Sequence, residues 1–281
     1  MHEIVGIVGS GQMGSAIGEI SVSAGHNVYF YDKSQDQLNK SSKKLFNNLA
    51  KESSKKQLSK EKKESLLSRL HFSTSIASID RCDIIIECVM EDEKVKSGSY
   101  NEIDQVRKNN SIIATNTSSI SINRLSNYIR EPDKFIGLHF MNPPQVIKLV
   151  EIISHKNTST ETLNTIESFI RKLNMTSVRG NDSPGFIVNR ILIPMINEAV
   201  YCLEENLSDI ESIDKAMRLG ANHPMGPLRL ADYIGLDTCL YILRVLEKDL
   251  SNPSYKPCPL LENYVKLGKL GKKTGEGFYR Y

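Results

Sequence analysis

"IVGIVGSGQMG", residues 4 to 14, decides how the rest of the chain is read. Ile4-Val5-Gly6-Ile7-Val8 is a β-branched run, of the kind expected for a strand buried on both faces. Gly9-Ser10-Gly11-Gln12-Met13-Gly14 follows at once, and a helical pattern continues through Ile17, Ile20 and Val22. A G-x-G-x-x-G at a strand-to-helix junction has a physical use. Gly9 permits the tight turn, Gly11 lets a pyrophosphate reach the backbone, and Gly14 lets helix and strand pack closely. The helix start then offers N–H groups and a positive dipole end to phosphates.

Glycine-rich turns are common, so the context matters. A second strand, His26 to Tyr31, ends in Asp32. An acid about 20 residues beyond the glycines is the expected ligand of a ribose 2′-hydroxyl, and it would repel the 2′-phosphate of NADP. The other reading of Asp32 is a cap for the next helix. The strand–turn–helix–strand–acid order favours NAD.

Further strands read at His71–Ser73, Cys82–Val89, Ser111–Thr115, Lys134–Leu138 and Val146–Ile153. Their alternation with helices predicts an α/β fold: a doubly wound, mostly parallel, Rossmann-like sheet. Ligands of such sheets bind at the carboxyl ends of the strands. Glu91, the Asn116–Ser119 turn and His139 fall there. His139 by itself is open between an acid/base and a satisfied core histidine. Glu151 stands among Val, Leu and Ile, where a carboxylate is costly unless paired, and a histidine is the obvious partner. His2, His26 and His71 read as structural, His155 follows a strand but lies several residues past the Glu151 carboxylate, and His223 reads as a turn or helix-start residue.

Between the second and third strands, residues 33–69 read as two helices joined near Glu52-Ser53-Ser54. The lysines at 40, 43, 44, 51, 55, 56, 60, 62 and 63 give this segment more positive charge than the whole chain's net +3. A solvated helical face and a landing surface for an anionic ligand both fit. After Asp182 the strand signals stop. Ser183-Pro184 reads as a helix start, and helical spacing through Leu203, 210–219, 228–233, 236–246 and 260–267 predicts a smaller all-α domain over 183–281. Residues 1–182 form the expected nucleotide-binding domain. The tail "GKKTGEGFYRY" reads as a loop packed back on the molecule.

The five cysteines are odd in number, and no Cys-x-x-Cys occurs, which argues for free thiols and against a zinc or disulfide framework. The modest net charge does not point to nucleic acid, and no apolar run is long enough for a membrane span. The N-terminal residues run straight into a structural motif rather than a signal peptide, so a cytoplasmic protein is expected.

Taken together, "GSGQMG", "NTSSI", "GLHFMNPPQVIKLVEI", "DSPGFIVNRIL", "HPMGPLRLADYIGLD" and "GKLGKKTGEGFY" resemble the NAD-dependent L-3-hydroxyacyl-CoA dehydrogenases, from about residue 3 to the C-terminus. The likeness is greatest to the stand-alone 3-hydroxybutyryl-CoA dehydrogenases. The resemblance implies His139 as catalytic acid/base, Glu151 as the carboxylate that orients it, and Ser118 and Asn189 as hydrogen-bond partners of the substrate oxygen. It implies Gly9, Gly11, Gly14, Asp32, Glu91, Lys96, Asn142 and Lys273 as cofactor-binding residues, with Lys273 the least defined. It implies an acyl-CoA substrate received by the lysine-rich helices, and a homodimer through the C-terminal helical domain. A relative acting on a hydroxy acid without CoA, of the L-gulonate type, and a non-catalytic NAD-binding protein are the competing readings. The presence of all four catalytic positions disfavours the second.

Overall fold

The β-branched runs of the first half become the strands of one sheet in the computed structural model, which describes residues 3–55 and 59–281. β1 (Ile4–Val8) leads through the glycine turn into α1 (Gln12–Ser23), and β2 (Asn27–Tyr31) follows. Then come α2 (Gln35–Lys55), α3 (Lys60–Leu67), β3 (Leu70–Ser73) and β4 (Ile84–Glu87). α4 (Glu93–Val106), β5 (Ile112–Thr115), the short α5 (Ile122–Leu125) and β6 (Phe135–Phe140) continue the alternation. β7 (Leu149–Ser154), α6 (Thr160–Lys172) and β8 (Thr176–Asn181) complete it.

The strand order is β3-β2-β1-β4-β5-β6-β7-β8. Every neighbouring pair is parallel except β6 and β7, which run antiparallel. The order reverses between β1 and β4, which is where a doubly wound sheet opens its ligand crevice. All six residues of β6 and all four of β4 and β5 are buried, which explains why these strands read as apolar runs rather than alternating ones. α2 covers the sheet with a single stripe, Leu38, Leu45 and Leu49, all nearly inaccessible.

The strand β8 was not expected from the sequence, β4 is shorter and α10 longer than expected, and three further differences are larger in consequence. Val146–Lys148 is a turn and not part of the strand. The N–H groups of Val146 and Ile147 both donate to the Pro143 carbonyl, each at 3.0 Å, and Val146 is 74% exposed. This short helix-free connection reverses the chain, and β7 therefore returns antiparallel to β6. The join expected near Glu52–Ser54 is absent, because α2 runs through it to Lys55. Lys56 lies outside the described residues. The third difference is the helix expected from Ser183-Pro184, which starts at Val188. Gly185 (φ 73°) and Phe186 (φ 49°) take left-handed backbone conformations that an α-helix cannot include.

The chain divides into two compact units, Met1–Asp182 and Ser183–Tyr281. The second unit comprises α7 (Val188–Glu204), α8 (Ile210–Gly220), α9 (Pro227–Ile234), α10 (Leu236–Leu250) and α11 (Pro259–Lys266). Its own core gathers residues such as Ile193, Ile196, Val200, Leu228, Leu243 and Leu261. Two buried aspartates organise it. Asp214 accepts the Leu228 and Arg229 N–H groups at the start of α9, at 2.8 and 3.0 Å. Asp232 accepts the Phe278 and Tyr279 N–H groups, at 2.9 and 2.8 Å, and so pins the glycine-rich tail. No helix among the described residues is long and apolar enough to cross a membrane.

Candidate active site

The glycine turn has the geometry its spacing requires. Gly9 has φ 94°, and a Cβ on it would meet the Cys88 carbonyl oxygen at 2.8 Å. A Cβ on Gly14 would lie 1.9 Å from the Gly9 oxygen, so only glycine lets α1 start this close to β1. Gly11 faces open space, with nothing within 4 Å of where its Cβ would stand. Gly9, Gly11, Tyr31, Asp32, Gln37 and Met90 are among the residues lining a cleft of about 510 Å³ beside this turn. A dinucleotide's adenosine and pyrophosphate fit these features: an open backbone at Gly11, a helix start, and the Asp32 carboxylate in the cleft's lining.

Asp32 has two structural duties within that cleft. One oxygen accepts from the N–H and hydroxyl of Ser10, at 2.8 and 3.0 Å, and the other from the Ser34 N–H at 2.9 Å. The cap of α2 is left to Ser34, whose hydroxyl accepts the Gln37 N–H. Asp32 thus fixes the glycine turn while lining the cleft. Tyr31 and Gln37 were not singled out in the sequence. Gln37 donates to the Ser10 carbonyl at 2.9 Å. Burial and the neighbouring Glu102 push the Tyr31 phenol up to about 12.

Over the carboxyl ends of β4 and β5, Glu91 holds the Thr117–Ser119 turn. One of its oxygens accepts the Thr117 hydroxyl at 2.6 Å and the Ser118 and Ser119 N–H groups at 2.9 and 3.0 Å. The Ser119 and Ser118 hydroxyls approach the same oxygen at 2.9 and 3.3 Å. Burial opposes ionisation of Glu91. The Lys96 ammonium and these hydrogen bonds outweigh it and hold the carboxyl below the usual range. Lys96 is only 1% exposed, with its ammonium 2.8 Å from Glu87 and 3.4 Å from Glu91. Burial works against its charge too, and the two carboxylates overcome that and raise its pKa. Lys96 is therefore tied through Glu91 to the turn that bears Ser118.

The antiparallel register of β6 and β7 sets His139 directly across from Glu151. Glu151 is fully buried, and His139 is nearly so. Imidazole Nδ1 lies 2.6 Å from Glu151 Oε2. A buried carboxylate at this distance fixes the ring's orientation and offers a counter-charge to an imidazolium. Just upstream, the Asn116 side-chain oxygen accepts the Phe140 N–H at 3.1 Å and ties the "NTSS" turn to β6. Asn142, joined to Pro143 by a cis peptide, accepts from Gln12 at 3.3 Å. Asp182 accepts from the Ser121 hydroxyl and from the backbone of Ile122 and Asn123, at 2.6, 3.0 and 2.8 Å, steadying the segment that follows Ser118.

Two of the expected site residues lie in the second unit. Asn189 is half-buried in the first turn of α7. Lys273 pairs with Asp237 at 2.6 Å in the tail. Three of the other described histidines have other employment, and His2 lies outside the described residues. His26 is buried against Glu3, His71 stacks on Tyr29 with ring centroids 4.2 Å apart, and His155 Nε2 contacts the Pro132 carbonyl at 2.9 Å. Glu87 was missed in the sequence. It ends the apolar run "IIIE", and the reasoning that singled out Glu151 applies to it equally.

A doubly wound sheet with this glycine turn, an acid after its second strand and a carboxylate-oriented histidine beyond its central strands defines a NAD-dependent dehydrogenase. Residues 4–183 match the family model "3-hydroxyacyl-CoA dehydrogenase, NAD binding domain", and residues 185–281 match "3-hydroxyacyl-CoA dehydrogenase, C-terminal domain". The chain belongs to the 3-hydroxyacyl-CoA dehydrogenase family, and its nucleotide cofactor is NAD. It is 46% identical to a 3-hydroxybutyryl-CoA dehydrogenase of Bradyrhizobium diazoefficiens, over 99% of this chain and 94% of that protein. It is 40% identical to the mitochondrial hydroxyacyl-coenzyme A dehydrogenase of Sus scrofa, over 99% of this chain and 90% of the relative. The solved structure of (S)-3-hydroxybutyryl-CoA dehydrogenase PaaH1 from Ralstonia eutropha superposes with a TM-score of 0.96 at 42% identity, covering 100% of this chain and 99% of the other.

Proposed function

We propose that the protein interconverts a short-chain L-3-hydroxyacyl-CoA, such as 3-hydroxybutyryl-CoA, and the corresponding 3-ketoacyl-CoA. The observation that carries this reading is the His139–Glu151 pair, 2.6 Å apart and set in register across β6 and β7. NAD supplies the hydride acceptor, so the hydroxyl carbon becomes a ketone and NADH and a proton are the other products. His139 takes the hydroxyl proton through Nε2 while Nδ1 stays engaged with Glu151, whose charge stabilises the imidazolium. Ser118 orients the substrate oxygen from a turn that Glu91 already holds. The resemblance assigns Asn189 to the same oxygen. Gly9, Gly11, Gly14 and Asp32 hold the adenosine and pyrophosphate half of NAD, and Glu91, Lys96 and Asn142 its nicotinamide half; the resemblance assigns Lys273 to the cofactor as well.

The coenzyme A moiety is received by the exposed lysines of α2, including Lys40, Lys43, Lys44 and Lys51. A homodimer through the helical unit is supported by its exposed apolar side chains, among them Ile191 at 68% and Leu219 at 72%. A cytoplasmic location is supported by the reduced, unpaired cysteines.

The test is NADH oxidation with acetoacetyl-CoA, run beside acetoacetate and beside NADPH. Turnover is expected only with the CoA ester and NADH. Equal turnover of free acetoacetate would transfer the enzyme to hydroxy acids lacking CoA.

A further inference from the structure

Glu87 is the last residue of β4, is fully buried, and has no part in the mechanism above. Its two oxygens are saturated. Oε1 accepts the Val89 N–H and the Lys96 ammonium, both at 2.8 Å, and Oε2 accepts the Tyr100 and Thr115 hydroxyls at 2.7 and 2.8 Å. Beyond Lys96 stands Glu91, 3.4 Å away, whose other oxygen grips the turn bearing Ser118. A continuous line of charge thus runs from the end of β4 to the Ser118 turn. It holds two carboxylates and one ammonium, an excess of one negative charge.

Stability alone does not account for such an arrangement. A buried ion pair replaced by well-packed apolar groups is often neutral or stabilising. The line lies at the carboxyl ends of β4 and β5, beside the topological switch point where a doubly wound sheet receives its ligand, and the proposed function puts the coenzyme's reacting ring there. That ring is cationic in NAD+ and neutral in NADH. A negative excess in a region of low dielectric therefore acts on one oxidation state and not on the other.

We infer that Glu87 is a positioning residue with an electrostatic role. It fixes Lys96, and through it Glu91 and the Ser118 turn, and its charge shifts the ratio of coenzyme affinities toward NAD+. This rests on NAD being the cofactor, and the experiment separates the two.

The dissociation constants of NADH, by fluorescence titration, and of NAD+, by competition, are measured for the whole protein, E87Q, T115V and Y100F. The isosteric E87Q removes the charge. T115V and Y100F each remove one neutral hydrogen bond and keep it. E87Q is expected to weaken NAD+ about fivefold more than NADH and to lower kcat with acetoacetyl-CoA. T115V and Y100F are expected to lower Tm and leave the ratio of the two constants unchanged. Equal weakening of both coenzymes in E87Q, or the same change of ratio in T115V, overturns the inference alone. No NADH binding by the unmodified protein overturns the cofactor reading and the inference with it. Should E87Q not fold, E91Q removes a charge from the partly exposed end of the same line. The same direction is then expected, and an unchanged ratio overturns the electrostatic role.

Discussion

His139 Nδ1 and Glu151 Oε2, 2.6 Å apart, carry most of the proposed chemistry. Glu151→Gln keeps the volume and removes the charge that holds the imidazolium. Steady-state assays should show kcat reduced on the order of 10²- to 10⁴-fold, with NADH affinity nearly unchanged. A loss of NADH affinity as large as the loss in kcat would assign Glu151 to the fold instead. Asp32→Ala should weaken NADH by roughly 10- to 100-fold, the worth of a hydrogen bond to a charged group, and narrow the preference over NADPH. Unchanged coenzyme preference in a titration would remove Asp32 from the ribose site. Both acids were legible because each stands where its neighbours do not explain it: Glu151 within an apolar strand, Asp32 at the end of one. Glu87 has the same signature, but its partners Lys96, Tyr100 and Thr115 come from α4 and β5. Sequence spacing cannot reveal that meeting.

Between β1 and α1 the close approach at Gly14 leaves no room for a methyl group. Gly14→Ala should destabilise by about 1–3 kcal/mol, the usual cost of overpacking, and weaken NADH binding. Differential scanning calorimetry and titration read the two effects, and an unchanged Tm would mean that the turn relaxes freely. At the Thr117–Ser119 turn, Glu91 ionises more readily in the folded protein than in the unfolded chain. Its contribution is complete above the usual carboxylate value of 4.5 and is lost as pH falls through the lower folded value. The Tm gap between the unmodified protein and E91Q should therefore be flat above about pH 5 and shrink below it. A gap that widens on acidification would contradict this sign. Most element types were readable from periodicity, boundaries less so, and β8 was missed because its residues are mostly polar and exposed. Val146 and Ile147 carry strand propensity but turn on the Pro143 carbonyl, and α7 starts late because of the backbone at Gly185 and Phe186.

Across the whole chain, the alternation of strand and helix was enough to infer a doubly wound sheet and an all-α second part. The antiparallel return of β7 was not readable, because a hydrophobic pattern has no direction. That return brings Glu151 opposite His139. Charge acts at the same range. Lys40, Lys43, Lys44 and Lys51 are exposed along α2. Replacing these four by Gln should raise KM for acetoacetyl-CoA about tenfold at low salt, leave kcat little changed, and lose its effect as ionic strength shortens the screening length. A salt-independent KM would make α2 an ordinary solvated helix.

His139→Gln puts the proposed reaction to its most direct trial, with turnover of acetoacetyl-CoA and binding of NADH measured on the same preparation. Turnover should fall on the order of 10²- to 10⁴-fold, the usual worth of a positioned acid/base, while NADH binds as in the unmodified protein. Turnover close to that of the unmodified enzyme, with NADH bound, would contradict the assignment of His139 and with it the mechanism built on the His139–Glu151 pair.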